Sequence, residues 1–463
     1  MSYLYFLHAG GGWNVMTRLG LVRAIFHQHR LMLEPRAAAT TGDKAEYPPG
    51  SGCYYCDKPI GAQILALPGY AVAFTLFGAA GPRLLLSLGM GAVGTAWAAS
   101  GVPAIVLGLV FLALSGCFTD GLTVRVTATL LYCLGTLAWA YATVLFAHQA
   151  AAAAGFCALA AAHWATATPR RPGLWAALAG ALAGLAVITE LPAVVVYVAV
   201  GAFLVAGAGW RRALPYVAAS LPLFALQLGY NWACFDHPLS FGYEYEANPA
   251  FGHAGGWVSW PRPTVAALLL FSRDKGLLVF SPYLVFAAAG LIIAARGKGP
   301  ARRLALTCLG IFAAYFLYNA GHYMWWGGSC LGPRHLVASL SFLAFGLVFL
   351  LPRLSGAWAT VLAATGTWSV VVAWLGATTV SEPGPAVANS GVLMAGLAQL
   401  LGGGLDWPNL GMSLGLRGSA SLLPQLLLGA GLAAALVAAA RRADRRRKGA
   451  DAGQDRVESG PDA

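Results

Sequence analysis

Leu426–Ala440 reads LLLGAGLAAALVAAA, and Ala150–Ala162 reads AAAAAGFCALAAA. Neither run contains a charge, and neither alternates polar with apolar residues. A membrane β-barrel strand alternates lipid-facing and lumen-facing side chains, so these are not barrel strands. Hydrocarbon offers no partner to a backbone N–H or C=O, so such segments cross a bilayer as helices. Similar apolar stretches recur from about residue 59 to residue 440, broken by short Gly/Pro/Arg punctuation. The chain is 58% hydrophobic and 10% charged, whereas a soluble domain carries roughly 25% charged residues. The expected fold class is all-α, a polytopic integral membrane protein with about 11–13 transmembrane helices of about 20 residues each. The helices are drawn near 83–100, 102–117, 126–147, 149–168, 173–191, 192–209, 213–233, 276–295, 303–320, 335–351, 356–377 and 424–440. Segment 59–80 is either a further crossing or a helix lying at the interface. In the second case Leu84–Leu114 crosses once, long and kinked at Gly101 and Pro103.

The net charge of +12 would point to nucleic acid in a soluble chain. Here many Arg and Lys stand in short clusters between apolar runs, as positive-inside anchors do, which argues against nucleic acid. Arg170–Arg171, Arg211–Arg212, the Arg296–Arg303 segment, Arg353 and Arg441–Lys448 mark the inside. The outer segments are then Gly10–Lys58, the vicinity of His148, the Glu190 hairpin, Cys234–Lys275, His322–Arg334 and Thr378–Leu423. Polar residues thus gather on one face, which suits an interfacial enzyme with an outer cavity in the inner (cytoplasmic) membrane. A transporter places ionisable groups near the midplane on broken helices, often in two related halves. No inverted repeat is visible, so a lipid-linked-sugar flippase or other transporter is the second reading, and a non-catalytic scaffold the third.

Residues 1–440 form one membrane-embedded domain, with 10–58 as its first outer loop. The charged tail 441–463 is expected to be a disordered cytoplasmic segment. Only Met1–Ala9 precedes the first loop, so most of a first helix is expected to be missing, truncated by a misplaced start site. Met1–Leu7 is too short to be the apolar core of a signal peptide. Most of the eight cysteines lie in apolar runs as small apolar fillers. Cys53 and Cys56 form a lone CxxC, which makes a local disulfide or two free thiols a better reading than zinc.

Asn14–Leu33, NVMTRLGLVRAIFHQHRLML, has amphipathic spacing. Leu19, Val22, Ile25 and Phe26 share a face, with Arg18 and Arg23 off it, so the helix is expected along the membrane surface. Thr41-Gly-Asp-Lys-Ala and Tyr54-Tyr55-Cys56-Asp57-Lys58-Pro59-Ile60-Gly61 then bring acids, lysines and aromatics next to the membrane. A lysine at a helix start near the headgroups offers a cation to a phosphodiester, aided by free backbone N–H groups. The plain alternative for Lys58 is a snorkelling interface lysine. Arg334 and His335 stand in Gly-Pro-Arg-His at an outer helix end. Arg pairs bidentately with phosphate; the alternative is a headgroup anchor. Tyr323, Trp325, Trp326, Trp257 and Trp260 fit an interfacial aromatic belt better than a sugar platform.

The first loop resembles that of the GT-C glycosyltransferases, in the group with the protein O-mannosyltransferases and the lipid A aminoarabinose transferase. Tyr55-Cys56-Asp57-Lys58-Pro59-Ile60-Gly61 is similar to their aromatic–acid–Lys–Pro element, with one residue inserted between aromatic and acid. Leu134–His148, Tyr230–Tyr243, Lys275–Pro282 and Trp325–His335 resemble further blocks of the group, in order along most of the chain. The resemblance implies a GT-C-like enzyme that moves a hexose or pentose from a polyprenyl-phosphate sugar to a lipid, glycan or protein acceptor, with inversion. It implies that Lys58 contacts the carrier phosphate, with Arg334, His335 and Arg18 as further phosphate candidates. Tyr54, Tyr55, His148 and Tyr243 are the substrate candidates. No cofactor is assigned. A divalent metal ion held by Asp57 and one of His148, His237, His253 or His322 is left open.

One departure matters. The group usually has an acid at the start of the first surface helix, and here Asn14, Val15 and Met16 stand there. Asparagine cannot take a proton from an acceptor hydroxyl. The catalytic candidates are therefore Asp43, Asp57 and Glu190, with Asp43 preferred because the turn-rich Tyr47–Gly52 segment can fold it over a cavity. Glu46, Glu244 and Glu246 follow them. The topology is tested by labelling single cysteines in intact cells with an impermeant maleimide. Positions 43, 243 and 379 are expected to react from outside, and 171, 302 and 445 only after lysis. Residues 43 and 302 on one side would overturn the assignment.

Overall fold

The computed structural model describes residues 2–8, 11–77, 84–168, 170–248, 258–379, 392–402, 405 and 408–458. Among these, nine helices are long and apolar enough to cross a membrane, and three shorter apolar helices accompany them. That matches the number expected. The regular strands among the described residues are one antiparallel pair, Ala45–Glu46 (β1) and Tyr54–Tyr55 (β2).

The first helix, α1, is Trp13–Gln28. It stops five residues before the expected end, because His29 takes a left-handed conformation and its N–H bonds back to Ile25. The following residues turn extended, and Leu33 donates its N–H to Tyr54 at 2.8 Å. Thr17 to Val22 are buried throughout, so α1 is packed into the protein rather than lying along a surface with one face free. Helix α2 is Gly61–Leu76. Leu84–Ala96, a π turn at Trp97–Gly101 and Val102–Ser115 follow one another without a break as the rod α3. The rod matches the long Leu84–Leu114 helix of the second arrangement, and the wide π turn supplies the irregularity expected at Gly101.

Helix α4 is Leu122–Gly135. The expected helix 126–147 is broken here: Thr136 is extended, a single turn occupies Ala138–Tyr141, and α5 begins at Ala147. Then come α6 (Pro172–Thr189), α7 (Leu191–Ala208), α8 (Ala213–Phe235), α9 (Leu284–Ala295), α10 (Gly299–Gly321), α11 (Arg334–Arg353), α12 (Gly356–Thr378) and α13 (Leu423–Glu458). The expected helix 276–295 is interrupted at Ser281, whose hydroxyl donates instead to Gly135 O at 2.9 Å. Helix α13 continues to Glu458, through residues expected to be disordered.

Whereas the apolar part of the C-terminal helix is mostly exposed, helix α5 is the axis of the bundle and is buried along nearly its whole length. Its alanines explain the place: small side chains let α3, α6, α7 and α11 approach from every side. The C-terminal helix instead turns Leu427, Leu428, Leu432 and Leu436 outward, as lipid contact requires. Ala176, Gly180 and Gly184 form a small-residue stripe on α6 against α8; a Cβ on Gly180 would sit 1.9 Å from Tyr216 O.

The two ends of the bundle differ in chemistry. Lys58 before α2, His148 on the first turn of α5, Glu190 after α6, His322 after α10 and Arg334 opening α11 share one end. Arg170–Arg171, Arg211–Arg212, Arg302–Arg303 and Arg353 lie at the opposite ends of those helices and their neighbours. In detergent, Gly180→Val should lower the thermal midpoint, since forcing bulk into a closed contact costs about 1–3 kcal/mol or more. Gly173→Ala, where an added Cβ meets nothing within 4 Å, should leave the midpoint unchanged. Equal midpoints for both would show that the α6–α8 contact is looser than described.

Candidate active site

The chain folds its first loop around one lysine. Lys58 Nζ lies 3.2 Å from Asp43 Oδ2 and 2.5 Å from Asp57 Oδ2, and the side chains are 10%, 11% and 0% exposed respectively. The β1–β2 hairpin brings Asp43 back to Lys58, with Ala45 opposite Tyr55 and Glu46 opposite Tyr54. Gly50 and Gly52, both at positive φ, make its turn. The helix that follows Lys58 is anchored from two sides. Ile60 donates its N–H to Gln227 Oε1 at 3.1 Å. Gly61 lies so close to the end of α6 that a Cβ would meet Thr189 Oγ1 at 2.5 Å.

The longer outer loop closes over this triad. Gly242 rests on the Asp57 backbone, where a Cβ would meet Asp57 Cα at 2.5 Å. That contact sets the Tyr243 ring over Lys58, 4.9 Å from Nζ to centroid. Glu246 pairs with Ala45 along the hairpin edge, and its carboxylate accepts the Lys44 N–H. Burial pushes the Asp57 carboxyl upward, opposed by the Lys58 charge and reinforced by Asp43. Burial would lower the Lys58 ammonium, but Asp43 and Asp57 outweigh it and hold the lysine well above its ordinary value. Glu246 is pushed up to about 8, by burial first and then by the Asp57 charge.

A second group forms across the same end. His148 Nδ1 lies 2.7 Å from Glu190 Oε1, and His335 joins them, the three ligand-type atoms lying within 4.8 Å of one another. The His322 ring follows, 5.2 Å from that of His335. Arg334 stacks on Phe146 at 5.5 Å, above Gly327 at positive φ. Lys275 braces this loop by donating to Gly328 O at 3.1 Å and Cys330 O at 2.5 Å. Tyr323 lies in electrostatic reach of Lys58, Glu246, Asp43 and Arg334, and its ring is 4.9 Å from that of His322.

Several sequence expectations resolve here. Arg18 lies behind the triad, buried, and donates to Asn14 Oδ1 at 3.1 Å and Gln63 Oε1 at 3.3 Å. Tyr54 sits under Lys44, 4.4 Å to the ring centroid, and Tyr55 packs on Phe235; both support the hairpin. Asp57 is paired with Lys58, whereas His148 sits with Glu190 and His335. His237 bonds to the Leu239 N–H in the outer loop. His253 and Trp257 lie outside the described residues. Cys53 and Cys56 are free thiols, and Gln63 donates to Cys56 Sγ. Sequence reasoning underweighted Glu246 and missed Gln63 and Gln227. Glu246 carried a signal, being the second acid of Tyr243-Glu-Tyr-Glu, but its partner is 202 residues away.

No family model matches the chain, and no curated protein does. Solved structures do. ArnT from Cupriavidus metallidurans in the apo state superposes with a TM-score of 0.53 at 17% identity, over 95% of this chain and 71% of ArnT. ArnT bound to undecaprenyl phosphate gives 0.50 at 18% identity, over 95% of this chain and 72% of that one. The archaeal oligosaccharyltransferase AglB from Archaeoglobus fulgidus, in complex with an inhibitory peptide and a dolichol-phosphate, gives 0.50 at 14% identity. It is matched over 82% of this chain and 54% of AglB. The chain has the GT-C glycosyltransferase fold. Within the GT-C fold, the triad and the His148 group occupy one end of the helix bundle, on loops and helix ends carried by a rigid interior.

The raised Glu246 carboxyl makes a pH prediction. An acid whose folded pKa lies above its unfolded value favours the folded state while it stays protonated in the fold. That contribution is complete below about 4.5 and is lost as pH rises through about 8. Thermal midpoints should therefore fall between about pH 5 and pH 8 and level off above that. Glu246→Gln should flatten the fall, and an unchanged slope in the variant would assign the pH dependence to another group.

Proposed function

We propose that this chain transfers a sugar from a polyprenyl-phosphate donor to an acceptor on the outer side of the cytoplasmic membrane. One observation carries the reading: a lysine held between two carboxylates, beneath an aromatic ring, at the start of an apolar helix. Ionisable groups so close to lipid are expensive and are kept for function. An ammonium has three N–H donors, and two point to Asp43 and Asp57. The third is available to a phosphate oxygen of the carrier, whose prenyl chain lies in a groove between helices. The ArnT structure with undecaprenyl phosphate and the AglB structure with a dolichol-phosphate support a carrier of this class. Arg334 is the second phosphate contact, with Arg18 adding positive potential behind the triad.

The reaction is a single displacement. An acceptor oxygen or nitrogen attacks the anomeric carbon and forms the new glycosidic bond. The bond from that carbon to the phosphate oxygen breaks, and the carrier phosphate leaves with the electron pair. Configuration inverts, because one displacement occurs. The acceptor proton passes to Asp43, the more exposed acid of the triad. Asp57, fully enclosed, holds the lysine in place. As the phosphate arrives, Lys58 turns toward it and weakens its hold on Asp43, so donor binding raises the basicity of the acid that needs it. Lys58 and Arg334 then stabilise the charge that grows on the leaving phosphate.

Purified protein in liposomes, supplied with a panel of polyprenyl-phosphate hexoses and pentoses, tests this directly. Transfer of radiolabelled sugar is expected from at least one donor. Lys58→Ala should bring it near background, since a desolvated ionic contact to phosphate is worth about 2–5 kcal/mol. Asp43→Asn should lower turnover by roughly 10²–10⁴ while donor binding changes little. Full turnover in Asp43→Asn with none in Asp57→Asn would move the base to Asp57. Activity of Lys58→Ala within about twofold of the parent would remove the lysine from the site.

A further inference from the structure

Three ligand-type side chains from three separate helix ends converge beside Arg334. His148 comes from the first turn of α5, Glu190 from the residue after α6, and His335 from the opening turn of α11. Their ligand atoms lie within 4.8 Å of one another. The His148–Glu190 contact at 2.7 Å is an ordinary hydrogen-bonded pair. It accounts for one oxygen and one nitrogen only. Glu190 Oε2 and His335 Nε2 are buried without a hydrogen-bond partner. Buried polar atoms in folded proteins are almost always paired. A cation between them would satisfy the carboxylate oxygen and the imidazole nitrogen together.

We propose that His148, Glu190 and His335 form a binding site for a divalent cation of the zinc class, separate from the Asp43–Lys58–Asp57 triad. Two imidazoles and a carboxylate are a donor set that zinc accepts with three protein ligands and one open position. Magnesium and calcium prefer oxygen-only sets, and copper(I) prefers sulfur. Tetrahedral bonds of 2.0–2.1 Å place ligand atoms about 3.3 Å apart. Entry of the ion therefore opens the 2.7 Å pair slightly and draws the wider contacts inward, which side-chain rotation supplies. The His148 ring is already fixed, stacked on Phe146 at 5.8 Å and edge-on to Tyr141 at 5.9 Å. The ring planes of His148 and His335 stand 87° apart.

The charge around the site selects what completes it. Glu190 supplies one negative charge against the two positive charges of the ion, and the cationic Arg334 adjoins ligand His335. The open fourth position is accordingly suited to an anionic oxygen, a hydroxide or a phosphate oxygen, rather than to a neutral donor. Metal binding itself is independent of the sugar-transfer reading, because it can be measured with no donor present.

The test uses full-length protein in detergent with any affinity tag removed. The protein is stripped with EDTA, exposed to zinc chloride, passed through gel filtration and analysed for bound metal. About one zinc per chain is expected, as one three-ligand site binds. Glu190→Gln, which keeps side-chain volume, and His335→Ala should each lower retained zinc at least tenfold. His237→Ala and Lys58→Ala should retain it. Zinc should also raise the thermal midpoint of the parent and not that of Glu190→Gln. Cobalt(II) loading of the parent provides a reading that needs no variant, since a tetrahedral site gives intense visible absorption that the aqueous ion lacks. Zinc retained equally by Glu190→Gln and His335→Ala overturns the proposal. So does a parent that retains no zinc and leaves cobalt with its aqueous spectrum. Zinc binding with no sugar transfer would leave the metal site standing and remove the transferase reading; transfer without zinc binding would do the reverse.

Discussion

A lysine enclosed beside the membrane must be paired, and the pairing of Lys58 with Asp43 and Asp57 constrains everything around it. Removing a charge from water costs several kcal/mol, and only close, well-oriented partners offset it. Asp57 is a sequence neighbour, but Asp43 is not, so the chain between them has to return on itself. The β1–β2 hairpin is that return. Glycines at 50 and 52 permit its turn, and Gln227 and Tyr230, from α8, tie its far end to the bundle. Gly242 and Tyr243 then close the remaining side, because no larger residue fits at position 242 against the Asp57 backbone.

The bundle that carries this loop combines close helix contacts with buried aromatic packing, such as Phe156 of α5 stacked on Phe111 at 5.3 Å. Inside a bilayer, neighbouring lipid is as apolar as any leucine, so association is driven by van der Waals packing and by polar groups that find each other. Gly180 against Tyr216, Gly69 against Gly94 and Gly290 against Gly346 are backbone-to-backbone approaches of this kind. The alanines of α5 let its neighbours enclose it on all sides. A rigid, enclosed α5 in turn fixes His148 at its first turn, and a fixed His148 lets Glu190 and His335 meet it from two other helix ends.

Two groups of opposite character therefore face one region. The first has two carboxylates around a lysine; the second has two histidines and a carboxylate beside an arginine. Tyr323 lies within electrostatic reach of Lys58 in the first and of Arg334 beside the second. A donor with an anionic phosphate and an electrophilic carbon needs cations on one part and a proton acceptor near another, and the region supplies both. The fold alone does not decide such chemistry, since one scaffold hosts different reactions. ArnT and AglB share the architecture at 17% and 14% identity. The local features of this chain are Asn14, where the GT-C resemblance anticipates an acid, and the histidine pair that meets Glu190.

The sequence by itself determined the membrane architecture, because a bilayer imposes a length and a composition that apolar runs such as Leu426–Ala440 must meet. It also marked the two ends of the bundle, since arginine and lysine cluster where helices end. The Tyr55–Gly61 element, Arg334 and the acids at 43, 57 and 190 were legible as polar residues set into apolar surroundings. The breaks were not legible: Thr136 and Ser281 end helices because their backbones and hydroxyls serve other elements, and nothing local announces it. Nor was the sharing of partners. Asp57 could equally have met a histidine in a linear reading; only the fold gives it to Lys58, and gives His148 to Glu190 and His335. Tertiary structure decided these pairings because a charge is satisfied by whatever lies within about 4 Å, and that distance is set by how helices far apart in the chain pack, not by their order along it.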